Sequence, residues 1–232
     1  MLVHVSLKSE RRLGAYRERA PEIAIDPRRV NLIRKRAPEP VRFFGRLQYL
    51  GLPWPARRGA WNQRAQPLQA YATFRKVAQV IDADLDYRRT PVFAETLQCL
   101  SRKGRGFIGP GRRRPVTSEE ALVQHYERLC HLIESMRQHG FDTRKARPMT
   151  LAIGRRGQFI KDRHEHHRMS VAHLLGLRQV PFSVLTIHSE WVKREFGTVR
   201  VSTETLAERL SARFNAPVTV PETIAPDANP AP

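Results

Sequence analysis

Apolar residues recur along this chain with two different periods, and the longer period marks its helices. Leu122, Tyr126, Leu129, Ile133 and Met136 follow at intervals of four, three, four and three, the spacing that lines one face of an α-helix. Thr117, with Glu120 three positions later, has the form of a capping box, so this helix is expected to open at Thr117 and end at Gly140. Its stripe belongs to a core. Another helix is expected from Thr90 to about Leu100, and a third over residues 166–175, closed by Gly176. A last one begins near Ser202 or Thr203, where Leu206, Leu210 and Phe214 repeat every four residues.

Short apolar runs between turn residues predict the strands. "PEIAIDP" reads as one strand, "MTLAIGRRGQFI" as a hairpin around Arg155-Arg156-Gly157, and "VPFSVLTIH" as a further strand. "EWVKREFG" then starts a turn or short helix. Residues 77–81 are expected as a short strand running into Asp82, Asp84 and Asp86. "LPWPARRGAWNQRAQP" is expected as an exposed loop, because Pro53, Pro55 and Pro67 prevent a continuous helix or ladder. Its Trp54 and Trp61 serve as a lid or as loop packing, with packing favoured. "RKGRGFIGPGRRR" is a flexible basic loop whose Arg112, Arg113 and Arg114 either contact an anion or are simply solvated.

Composition narrows the partners. The 232 residues hold one large domain or two small ones, and 41% hydrophobic content suffices for a core. Lysine and arginine number 41 against 22 acids, a net charge of +19, so the molecule carries a positive field suited to polyanions, nucleotides or anionic surfaces. Cys99 and Cys130 lie within apolar, helix-like runs and are expected as buried free thiols. No stretch approaches the roughly 18 apolar residues of a membrane span, and the start lacks a signal-peptide core. The expectation is a soluble cytoplasmic protein.

The chemistry concentrates in "KDRHEHHRMSVAHLLGLRQVP", residues 161–181, where ionisable side chains crowd the entrance of the third helix. A helix start leaves backbone N–H groups unbonded and carries roughly half a positive charge, so it attracts anions. His167 and Arg168 fall in the first turn, where a guanidinium can grip phosphate oxygens and an imidazole can add a hydrogen bond. The same entrance could instead be satisfied internally, with Glu165 capping the helix, Arg168 paired to it or to an aspartate, and the histidines solvated. His164, His166 and His167 offer no i,i+4 pair for a metal. Neither cysteine has a nearby basic cluster, and Ser170 has no nucleophile-elbow setting. If the chain stays extended, Asp84 and Asp86 face one side and could hold a divalent ion or accept a proton; otherwise they form a solvated turn capping the next helix. Glu165 is the other candidate base.

The order of hairpin, "HHRMSVAHLLGLRQVP" and strand resembles the core of the ParB/sulfiredoxin-like superfamily, a poorly characterised bacterial branch in particular. His167-Arg168, Ala172, Leu175-Gly176 and Val180-Pro181 match its turn, short helix ending in Leu-Gly, and Val-Pro entry to the next strand. The likeness covers about residues 22–34 and 77–194. It implies an α+β fold, a small mixed sheet with packed helices. The domain would occupy residues 77–200, behind a basic, loop-rich segment (1–76) packing on it, and before a helix (201–215) and a disordered Pro/Ala-rich tail (216–232). It implies a nucleotide site in which His167 and Arg168, with the backbone of His166 at the helix mouth, hold the phosphates of ATP or CTP with Mg²⁺; if the chain transfers a phosphoryl group to a small or saccharide-type acceptor, Glu165, Asp84 and Asp86 are the candidate catalytic carboxylates. The usual glycine before the His-Arg pair is replaced by Glu165. The alternative is nucleic-acid binding or nuclease action without sequence-specific readout, through loops such as Arg112 to Arg114. No helix-turn-helix module follows the candidate domain, which argues against a partition role.

Overall fold

The computed structural model describes residues 20–34, 56–108, 115–162 and 164–214, the side chain of Thr203 excepted. In chain order these form β1 (Glu22–Ile25), β2 (Leu32–Arg34), β3 (Ala56–Arg57), β4 (Ala65–Pro67), α1 (Ala72–Asp82), α2 (Pro91–Lys103), β5 (Gly106–Phe107) and β6 (Pro115–Val116). They continue with α3 (Glu119–His139), β7 (Met149–Ile153), β8 (Phe159–Lys161), α4 (His166–Leu174), β9 (Val180–His188), α5 (Ser189–Phe196) and α6 (Thr203–Phe214). The fold is α+β.

β7 and β9 are buried along almost all of their length, as strands covered on both faces are, and they pair in parallel at the centre of a mixed sheet. The order is β1-β9-β7-β8-β2-β4, with β3 also on β9. β8 returns antiparallel to β7 through the turn at Gly157, and β2 lies parallel to β8. That turn needs its glycine: φ is +84°, and a Cβ there would meet the Trp191 Nε1 at 2.8 Å. β5 and β6 form a separate two-stranded ladder.

The α3 stripe behaves as its spacing predicts, with Leu122, Tyr126, Leu129, Ile133 and Met136 all buried. At about 1.5–3 kcal/mol for each side chain removed from water, these five are a main source of core stability. The helix starts one residue later than expected: Ser118, not Thr117, is the cap, accepting a hydrogen bond from the Ala121 amide. α2 opens on Thr90, whose hydroxyl accepts from Phe93 N, and closes on Gly104 in the left-handed region. Gly176 and Gly197 likewise follow α4 and α5 with positive φ.

Three expectations need correction. Residues 77–81 are no strand but part of α1, because Phe74, Val77 and Val80 continue the pattern upstream at three-residue steps and all three are buried. The Trp-containing stretch is not wholly an exposed loop, since it contributes β3 and β4 to the sheet and buries Trp61. Cys99 and Cys130 are free thiols but only half-buried. Trp54, residues 112–114 and the segment 216–232 lie outside the described residues.

Candidate functional site

α4 begins at the end of β8, and the turn between them sets the chemistry. β8 finishes on Lys161, whose side chain is fully buried. Its ammonium donates to the Thr150 carbonyl at 3.2 Å, the Thr150 hydroxyl at 3.3 Å and the Asp162 carbonyl at 3.2 Å, all uncharged acceptors. Glu165 also approaches it, with its Oε2 3.8 Å from the Lys161 Nζ. That oxygen is itself buried and accepts no hydrogen bond. The contact is therefore an ion pair without a hydrogen bond.

The backbone explains how Glu165 gets there. His164 and Glu165 have φ of 51° and 50°, a left-handed conformation that costs a non-glycine residue about 1–2 kcal/mol. Glu165 precedes the first helical residue, yet its side chain caps none of the first-turn N–H groups. The internally satisfied alternative is not what the structure has: Glu165 faces a lysine and does not cap the helix. A left-handed residue followed by right-handed helical ones also points successive N–H groups into one concavity, the geometry of an anion nest.

Around this mouth the structure gathers more charge than the sequence had placed there. Arg34, ending β2, pairs with the nearly buried Asp162 at 2.7 Å. Arg168 is half-buried, and among the described residues it makes neither an ion pair nor a hydrogen bond. The His167 ring meets His125 of α3 at 5.7 Å, edge to face, and His125 Nε2 lies 2.7 Å from the buried Lys76 ammonium. Lys76 also donates to the Ile108 carbonyl at 3.0 Å. His166 packs on Tyr71 with ring centroids 5.0 Å apart, and its buried Nδ1 has no hydrogen-bond partner. Burial, then the Lys161 charge, then His164 press its pKa from 6.5 down to about 4, while Asp162 opposes weakly. His166 is accordingly a neutral imidazole at pH 7. Ser170 donates to the His166 carbonyl at 2.8 Å, tying its hydroxyl to the helix backbone.

Asp84 and Asp86 are not brought to this place. Both are exposed on the turn that follows α1, with Asp84 at φ 48° and Leu85 at φ 67°, so the extended geometry that would align the two carboxylates is absent. They sit beyond the C-terminal end of α1, whereas Tyr71, which touches His166, precedes its N-terminal end, a helix of about 16 Å away. Nor does Asp86 cap the next helix with its side chain; Thr90 does that. Arg112, Arg113 and Arg114 lie outside the described residues.

Sequence reasoning missed Lys161, Arg34, Asp162, Lys76 and Tyr71. Two left a legible signal. Lys161 closes the apolar run Phe159-Ile160, and Lys76 occupies a core-facing position of the α1 stripe, where a lysine is seldom buried unless paired. Arg34 and Asp162 are brought together only by the parallel pairing of β2 with β8. Trp61 packs, as favoured: it lies on Ala152 and Ile160, stacks on His188 at 5.9 Å, and carries the Arg34 and Arg57 guanidinium groups 5.8 and 5.7 Å from its ring. His188 spends both ring nitrogens, Nε2 on the Gly59 carbonyl and Nδ1 on the Glu190 amide. An open pocket of about 280 Å³ lined by Arg29, Asn31, Gln158 and Phe159 lies at the hairpin end of β8, away from the helix mouth.

Among the described residues no group of three or more His, Cys, Asp or Glu is arranged to hold a metal ion, and no helix is long and apolar enough to cross a membrane. No protein-family model, curated protein or solved structure matches the chain.

Proposed function

We propose that the mouth of α4 binds the phosphate groups of a nucleoside triphosphate, ATP or CTP with Mg²⁺, and that the chain is a ParB/sulfiredoxin-like nucleotide-binding protein. The observation that carries this reading is the start of α4, which the left-handed Glu165 leaves without a side-chain cap, with Arg168 in the same turn making no ion pair or hydrogen bond among the described residues. Several features support it. The conformation at Glu165 is one glycine adopts at least cost, and glycine is what the resembled superfamily places before its His-Arg pair. His166 is neutral, so it could act as a hydrogen-bonding group beside a phosphate without adding charge. Mg²⁺ would arrive on the phosphate oxygens, as it commonly does.

Transfer of the phosphoryl group to a small or saccharide-type acceptor further requires a carboxylate near the nucleotide to take the acceptor's proton. Glu165 is the candidate that the turn leaves in place; Asp84 and Asp86 no longer support this role. Isothermal titration of ATP and CTP, with Mg²⁺, into the parent chain and Arg168→Ala tests the site. The variant should keep its far-UV spectrum and lose about 10- to 100-fold in affinity, the worth of a charged hydrogen-bonded pair. Equal affinity in both chains would remove the assignment. The nucleic-acid alternative rests on the net charge of +19, and oligonucleotide binding should then weaken linearly in log–log terms as salt rises.

A further inference from the structure

We propose that Trp61 and Arg34 form a binding site for the carboxylate group of a small organic acid, on the sheet face turned away from the main core. Strand register brings the two residues together. Ala152 and Leu32 both stand opposite Ile160, so these three side chains share one face, and alternation along β2 puts Arg34 there too. Their neighbours Leu151 and Ile33 point the other way, into the main core where Met169, Val171 and Ala172 of α4 also pack. The site is therefore separate from the phosphate site proposed at the mouth of α4 and does not rest on it. Trp61 covers Ala152 and Ile160, is 6% exposed, and stacks on His188.

Two hydrogen-bond donors on this face are left over. Trp61 Nε1 and Arg34 Nη1 are both buried and neither has a hydrogen-bond partner, although a buried indole N–H ordinarily finds one. Each such group costs about 1–3 kcal/mol, the charged one more. The Arg34 guanidinium carbon stands 5.8 Å from the indole ring, near enough for the two oxygens of one carboxylate to take a hydrogen bond from each residue. No neighbouring group does this: Asp162 bonds Arg34 through Nη2 at 2.7 Å, and His188 has its nitrogens on Gly59 and Glu190. Both leftover atoms are donors, so the ligand must present acceptors. Asp162, its side chain 4% exposed, already sets one negative charge against Arg34, and a carboxylate's single charge is accommodated at less cost than the two of a phosphate. The Arg34 side chain keeps 15% exposure, which gives the ligand its approach from solvent.

Sodium acetate titrated into the ¹⁵N-labelled full chain at pH 7, with chloride holding the ionic strength constant, tests this through the indole N–H signals. The chain has three tryptophans, and Trp61→Phe, which keeps a ring against Ala152 and Ile160, identifies the Trp61 signal by its absence. Should that variant not fold, Trp54→Phe and Trp191→Phe identify the signal by elimination. It should move downfield along a saturable curve, as an N–H does on gaining an anionic acceptor. In Arg34→Lys, whose ammonium can still face Asp162 but lacks the second arm of the fork, the apparent affinity should fall about 10-fold. Acetamide, of similar shape without the charge, should move the signal of the parent far less than acetate. Arg168→Ala should leave the acetate curve unchanged, whatever it does to nucleotide binding. An unmoved Trp61 signal, or equal curves in the parent and Arg34→Lys, overturns the proposal. So does an equal response to acetamide, a larger response to inorganic phosphate than to acetate, or an acetate response lost in Arg168→Ala.

Discussion

Acidification from pH 7 to pH 5 should destabilise the protein through His166, and the size of the loss can be worked out. In the unfolded chain this imidazole takes up a proton near its ordinary 6.5; in the folded chain burial and the Lys161 charge hold it neutral down to about pH 4. A histidine with a depressed folded pKa contributes nothing above 6.5 and opposes folding increasingly as pH falls toward the folded value. At pH 5 the unfolded state holds about one proton more than the native state, and integrating from pH 7 at about 1.4 kcal/mol per unit gives about 2 kcal/mol. The ring retains some contact with water, which trims the expected loss to about 1–2 kcal/mol. Urea denaturation at pH 7, 6 and 5 measures it, in the parent and in His166→Phe, which keeps an aromatic ring against Tyr71. The parent should lose about 1–2 kcal/mol more than the variant. His173 and His188, also held low by burial, push the same way but remain in both proteins and cancel. Asp26 and Asp142 act in another window: their arginine partners hold them below the ordinary 3.8, so the stability they add is present above that value and is lost only at lower pH. Equal losses in parent and variant would refute the assignment of the effect to His166.

The remaining predictions concern positions away from the ligand. Gly157→Ala should cost more than about 2 kcal/mol in urea melts, because a side chain there is strained at φ +84° and presses on the buried Trp191, so the near-UV tryptophan signal should change with it. Asp84→Ala and Asp86→Ala, on the exposed turn after α1, should leave nucleotide affinity and its magnesium dependence unchanged within error and shift stability by less than about 0.5 kcal/mol. A loss of magnesium dependence in either would restore them to the site.

What the chain made legible follows from how local each feature is. The α3 stripe, the β7–β8 hairpin and α4 with its Gly176 stop are written in consecutive residues, and the structure has them within a residue or two. Residues 77–81 misled because a short apolar run has no period of its own; the helix declares itself only when Phe74 is counted with it. The site was half legible. Glu165, His166, His167 and Arg168 stand in one turn of sequence, but the ammonium and guanidinium groups that define their field come from β8, β2 and α1. Lys161 and Glu165 are four positions apart, yet nothing in their order shows that a left-handed turn aims the carboxylate back at the strand.

The two neighbours on the outer edge of β9 are made far earlier than β9 itself. Glu22 pairs with Ser183 and Ala56 with Ile187, so the strand that closes this side of the sheet is synthesised long after the strands it closes upon. At about 5–20 residues per second on the ribosome, β1 is made about 10–30 s before its partner. Throughout that interval Ile23 and Ile25, buried in the finished protein, have no sheet to enter. The nascent chain therefore carries an unpaired apolar segment until β9 emerges, and chaperone binding over that interval would protect it.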